Sequence, residues 1–97
     1  MNRHNRDFIA RLYIRQLAPG LFEYQVMFAN EVIDSAAGFS SISDAIEAAA
    51  DITGSVRGFE VSYDGLVVGT YPLKGLRATA QLVALRAIGT TAAFCDG

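Results

Sequence analysis

Residues 57–71 read RGFEVSYDGLVVGTY, two alternating runs joined by Asp64-Gly65. No other stretch limits the fold as much. A two-residue connection between strands needs a turn whose twist matches theirs, and Asp-Gly is a favoured pair for the positive φ angles such a turn requires. The segment therefore reads as a hairpin, with Phe59, Val61 and Tyr63 facing Thr70, Val68 and Leu66. A lone hairpin is marginal in water, so the rest of the chain must extend the sheet and cover it.

The same period of two runs through residues 8–16, with Phe8, Ala10, Leu12 and Ile14 on one side and Ile9, Arg11, Tyr13 and Arg15 on the other. LFEYQVMF repeats it, setting Phe22, Tyr24, Val26 and Phe28 against Leu21, Glu23, Gln25 and Met27. A slip of one residue inverts the faces, so the two apolar rows meet only if paired residue numbers have an even sum. That predicts a loop of three or five residues around Pro19 and puts Arg15 opposite or near Glu23. A tight turn at Ala29 and Asn30 leads into EVIDSA, a third strand.

GFSSISDAIEAAADITG, residues 38–54, reads as a helix. Ser41 can cap it with Asp44 three residues on, and Gly54 suits its left-handed stop. Ile42, Ala45, Ile46, Ala49 and Ile52 form the inward stripe. A second helix spans PLKGLRATAQLVALRAI, with Pro72 in its first turn, Gly75 weakening its start and Gly89 at its end. Leu73, Leu76, Ala80, Val83, Ala84, Ala87 and Ile88 make a wide apolar face, and Leu82 and Leu85 carry it almost all round, which implies burial almost all round. TTAAFCDG is left as a tail or short edge strand, and residues 1–6 as a mobile end. The order β-β-β-α-β-β-α defines an α+β fold, an antiparallel sheet of about five strands with two helices on one face. With 97 residues, 52% of them hydrophobic, the chain suits a single domain.

Chemistry is sparse. The one histidine, His4, and the one cysteine, Cys95, sit at opposite ends of the chain, and no nucleophile has a base at a recognisable spacing. Ligands for zinc are lacking, and DSAAGFSS has neither the glycine spacing nor the lysine of a phosphate loop. No enzyme, metal or cofactor is expected. LRATAQLVALRAIG is broken by Arg77, Gln81 and Arg86, short of the roughly 18 apolar residues of a membrane span. IARLYIRQL is too interrupted for an export signal, so a cytoplasmic protein is expected.

Charge is small in sum, −2, and uneven along the chain. Four arginines stand against Asp7 in residues 1–20, whereas residues 21–70 hold eight carboxylates against Arg57. Two surfaces follow. Arg11, Tyr13 and Arg15, extended by Arg3 and Arg6, interleave basic and aromatic groups as a nucleic-acid face would. Asp44, Glu47 and Asp51 form a like-charged helix stripe, which costs about 0.2–0.5 kcal/mol per neighbouring pair and asks for a cationic partner, either the sheet arginines or another molecule.

NEVIDSAAGFSSISDAI, with Glu31, Ile33, Phe39, Ser41 and Ala45 at similar relative positions, resembles the hairpin-to-helix segment of small YegP-like bacterial repeat domains. The usual glycine after the turn asparagine is missing and Ser35 is displaced by one place. The resemblance covers 17 residues and implies no activity.

The residues thus favour a small non-enzymatic protein-binding module. One concrete form is a phage-type, anti-CRISPR-like inhibitor or adaptor that presents Asp44, Glu47 and Asp51 to a basic partner surface. A homodimer through Leu82 and Leu85 is expected, because one small sheet cannot cover so apolar a helix. The alternatives are weak nucleic-acid binding through Arg11, Tyr13 and Arg15, and a small enzyme or ligand carrier with a pocket between sheet and helices.

Overall fold

The computed structural model describes residues 8–51 and 56–96. The elements are β1 (Phe8–Ala18), β2 (Leu21–Phe28), β3 (Glu31–Phe39), α1 (Ile42–Ala49), β4 (Val56–Tyr63), β5 (Leu66–Pro72) and α2 (Leu76–Asp96). The α+β class and the element order are those expected from the sequence. Among the described residues the five strands form one sheet in the order β3-β2-β1-β4-β5. It is not wholly antiparallel: β4 returns from α1 to lie parallel to β1.

Registers follow the faces. In β1–β2 the pairs run from Arg11 with Met27 to Gln16 with Phe22, so the residue numbers sum to an even value and Arg15 stands opposite Glu23. The connection is tighter than the expected loop. A bulge at Leu17 absorbs the odd residue, Ala18 pairs with Leu21, and the turn proper is Pro19-Gly20, where Gly20 has φ +71°. At the second turn Ala29 and Asn30 hold φ +54° and +67°. Asp64 and Gly65 likewise both have positive φ, and Tyr63 pairs with Leu66 as expected. Beyond that pair a bulge at Val68 shifts the register by one, so Val61 meets Gly69 and Phe59 meets Tyr71. The shift turns Tyr71 toward the core and Thr70 to the opposite face beside Glu60.

α1 is capped as expected, Ser41 Oγ accepting from the Asp44 N–H at 3.0 Å. Ile42, Ala45, Ile46 and Ala49 are its buried stripe. Gly54, the expected stop, and Ile52 lie outside the described residues. α2 departs from expectation at both ends. Pro72 closes β5, and Gly75 stands before the helix at φ +85°, its carbonyl accepting from the N–H groups of Ala78 and Thr79. Gly89 does not end it, and residues 90–96 are helix rather than tail or edge strand. One interior glycine costs about 1 kcal/mol against alanine, too little to stop a helix already anchored by packing at Ala87.

Both helices lie on one side of the sheet, α1 against β1, β2 and β3, α2 against β4 and β5, and the two touch each other. Leu12, Ile14, Val26, Phe59 and Val61 from the strands and Ile46, Leu76 and Val83 from the helices are fully buried between the layers. Among the described residues nothing covers the other side of the sheet.

Candidate functional site

Two surfaces could carry function: the bare sheet face and the outer side of the helix layer. On the sheet face, period two brings Arg11, Tyr13 and Arg15 to one row of β1, as the nucleic-acid reading requires. The arginines are already paired. Arg15 Nε donates to Glu23 Oε2 at 2.9 Å across β1–β2, and Arg11 Nε lies 3.4 Å from Glu60 Oε1 across β1–β4. The Tyr13 hydroxyl and, after it, Glu60 hold the Arg11 guanidinium above its ordinary range, so it stays charged at any working pH. Among the described residues the row is therefore a ladder of alternating sign with no excess cation to meet phosphates. Arg3, Arg6 and His4 lie outside the described residues, as does the side chain of Cys95.

The helix layer is built differently. On α1, Asp44 and Glu47 point away from the buried stripe; Asp51, expected on the same helix, stands two residues beyond its end at Ala49, and neutralisation of the three is uneven. Asp51 Oδ1 accepts from Arg77 Nη1 of α2 at 2.6 Å. Asp44 Oδ2 accepts from the Ser40 hydroxyl at 3.0 Å. Among the described residues Glu47 has no ion pair. The sheet arginines cannot serve these carboxylates, because Arg11 and Arg15 occupy the opposite face of the sheet; the internal partner is Arg77.

On α2 the buried side is Leu76, Ala80, Val83, Ala84 and Ala87. The helix is not buried all round: Leu82 is 52% exposed, Leu85 66% and Ile88 54%. Leu82 and Leu85, expected at a dimer interface, thus stand free on the outer surface of this chain. Between α2, the start of α1 and the β1–β2 turn runs an open groove of about 520 Å³. Phe22, Ile42, Ala84 and Ile88 give it apolar walls, and Ser41, Ser43 and Gln81 edge it. Sequence reasoning missed this groove, since its walls come from segments as distant as residues 20 and 88 and no local pattern joins them. The α1 N-terminus beside it is closed to anions, because Ser41 caps it and Asp44 holds negative charge there.

One further polar contact lies at the layer's edge, where the Tyr24 hydroxyl donates to Asp34 Oδ2 at 2.8 Å. Burial, and after it the hydrogen bond and charge of Asp34, push the Tyr24 phenol up to about 12. Tyr63 is also raised, first by burial and then by Asp64. These phenols remain neutral at physiological pH and are poor acids.

Among the described residues no group of three or more His, Cys, Asp or Glu is placed to hold a metal ion, and no helix is long and apolar enough to cross a membrane. Set against protein-family models, curated proteins and solved structures, the chain matches none of them. The resemblance of residues 30–46 to the YegP-like domains therefore goes no further than a turn, a strand and a capped helix.

Proposed function

We propose that this chain is a non-enzymatic protein-binding module whose docking surface is the outer side of the helix layer. The observation that carries the reading is the exposure of Leu82, Leu85 and Ile88 along one stretch of α2, beside an apolar groove. Large apolar groups grouped on a regular element mark interaction sites more often than singly scattered ones. Asp44 and Glu47 of α1, and Asp51 just beyond it, belong to the same helix layer. Of the three assigned to a basic partner, Glu47 is the one best placed to act, Asp44 and Asp51 being already engaged within the chain. An inhibitor or adaptor role follows if the partner's own basic site is what the surface covers.

The test is capture from a lysate of the source cells on immobilised protein, repeated with Leu82→Glu and Leu85→Glu. A specific partner held by the unmodified chain and released by either change supports the reading. A partner retained by both variants and lost on Arg11→Ala with Arg15→Ala moves the function to the sheet face. For nucleic acid the ion-paired arginine row leads us to expect only weak, nonspecific binding at physiological salt.

The groove favours a second reading, a carrier of a small apolar ligand. It would show as a rise in melting temperature with an aliphatic ligand that Ala84→Phe, which fills the groove, abolishes.

A further inference from the structure

Leu82 and Leu85 belong to a longer series. Ala78, Leu82, Leu85, Gly89 and Ala92 recur at alternating spacings of four and three, and all five are exposed. That is the spacing by which one helix seats against another along a seam, large side chains at the centre and small ones at the ends where backbones approach. We propose that a second copy of this chain covers the seam, α2 lying parallel to α2 about a two-fold axis that runs along the helices. The inference rests on the helix layer being the docking surface and names its partner.

Charge decides both the occupant and the orientation. The two flanks of α2 differ. Gln81, Leu85 and Ile88 line the groove shared with α1, while Arg86 lies on the far flank, its Nη1 donating to the Tyr71 hydroxyl of β5 at 3.4 Å. α1 presents carboxylates and no cation; α2 presents Arg77 and Arg86 and no carboxylate before Asp96. A two-fold axis along α2 sets Leu82 and Leu85 against their counterparts and carries each α1 over the Arg86 flank of the other copy. The Glu47 carboxylate, with no ion pair among the described residues, then meets a cation, and symmetry makes the contact twice. An axis across α2 would instead stack α1 on α1, carboxylate against carboxylate.

The full chain is measured by sedimentation equilibrium in a Cys95→Ser background. A dimer at micromolar concentration is expected, and Leu85→Arg should make it a monomer with an unchanged circular dichroism spectrum. Glu47→Lys or Arg86→Glu alone should weaken association about tenfold, and the two together should restore it, since the reversed charges again oppose. Orientation is read by oxidation: Ala78→Cys should cross-link to itself in the parallel pair. Cross-linking only of an Ala78→Cys chain to a Gly89→Cys chain means an antiparallel pair and overturns the proposed geometry. A monomer at high micromolar concentration overturns the second copy as occupant. It leaves the docking surface to its own test, in which a different protein is captured and Leu85→Glu releases it. Failure of the double reversal to restore association removes the charge argument.

Discussion

Tyr24 shows how a single side chain ties the edge of this sheet to solution conditions. Its ring is buried on the core face of β2, stacked near Phe39 with centroids 5.6 Å apart, and its hydroxyl reaches Asp34 on the edge strand. Folded, it keeps its proton to about pH 12, whereas an exposed tyrosine loses it near 10. The raised value favours the folded state while both forms are protonated, so this contribution is complete below pH 10 and disappears as pH climbs from 10 to 12. Tyr24→Phe should cost about 1 kcal/mol at pH 7 through the lost hydrogen bond, yet flatten the alkaline fall of stability. Urea titrations at pH 7 and above pH 10 read both effects; a variant with the same alkaline slope as the unmodified chain would move the cause to Tyr63. Gly58 is constrained by packing instead. A Cβ there would stand 2.6 Å from the backbone oxygen of Tyr71 and 3.2 Å from Ile9 Cδ1. Gly58→Ala should therefore destabilise by roughly 1–3 kcal/mol, the usual range for overpacking, and an unchanged urea midpoint would mean β5 yields freely.

Among the elements, α1 carries the clearest contrast between neighbouring charges. Asp51 and Arg77 are each more than half exposed, so their pair contributes at most about 1 kcal/mol and is screened by salt. In the Leu85→Arg monomer, Asp51→Asn should lower the melting temperature slightly at low salt and not at high salt, while Glu47→Gln should leave it equal or raise it by relieving repulsion. Differential scanning calorimetry at two salt concentrations separates them; a Glu47→Gln chain that melts several degrees lower would show that Glu47 is engaged within the protein. The strands and both helices were legible because period two and period 3.6 are written in neighbouring residues, as in Phe22–Phe28 or Ile42–Ala49. Their irregularities were not. The bulges at Leu17 and Val68 answer to pairing across the sheet, and the parallel β1–β4 contact joins residues about fifty apart, which no local pattern records. The helix end at Gly89 was misread for a related reason: glycine weakens a helix by a fixed small amount, and packing at Ala87 outweighs it. The carboxylates and Leu82 with Leu85 stand out in the sequence as candidates, but the partner of Asp51 does not, since Arg77 comes from the other helix.

At the scale of the whole molecule, the two faces differ in kind. The bare face of the sheet alternates charge along β1, with Arg11 beside Glu60 and Arg15 beside Glu23, while Ile9, Val32 and Val67 stand singly around this ladder. The helix side separates its charges, acid on α1 and base on α2, around an apolar seam that nothing among the described residues covers. Our proposal is that another protein surface completes it. Solvent exposure of individual methyl groups distinguishes the faces directly. In the isolated chain Leu82 and Leu85 on the helix side and Ile9 and Val32 on the sheet side are all about half exposed. Methyl relaxation by a soluble paramagnetic probe, recorded as the protein is taken from low to high micromolar concentration, reports which of them become covered. Protection of Leu82 and Leu85 with Ile9 and Val32 unchanged is the expected result; protection of Ile9 and Val32 instead, or of none of the four, would contradict the assignment of the helix layer as the face completed by a second copy.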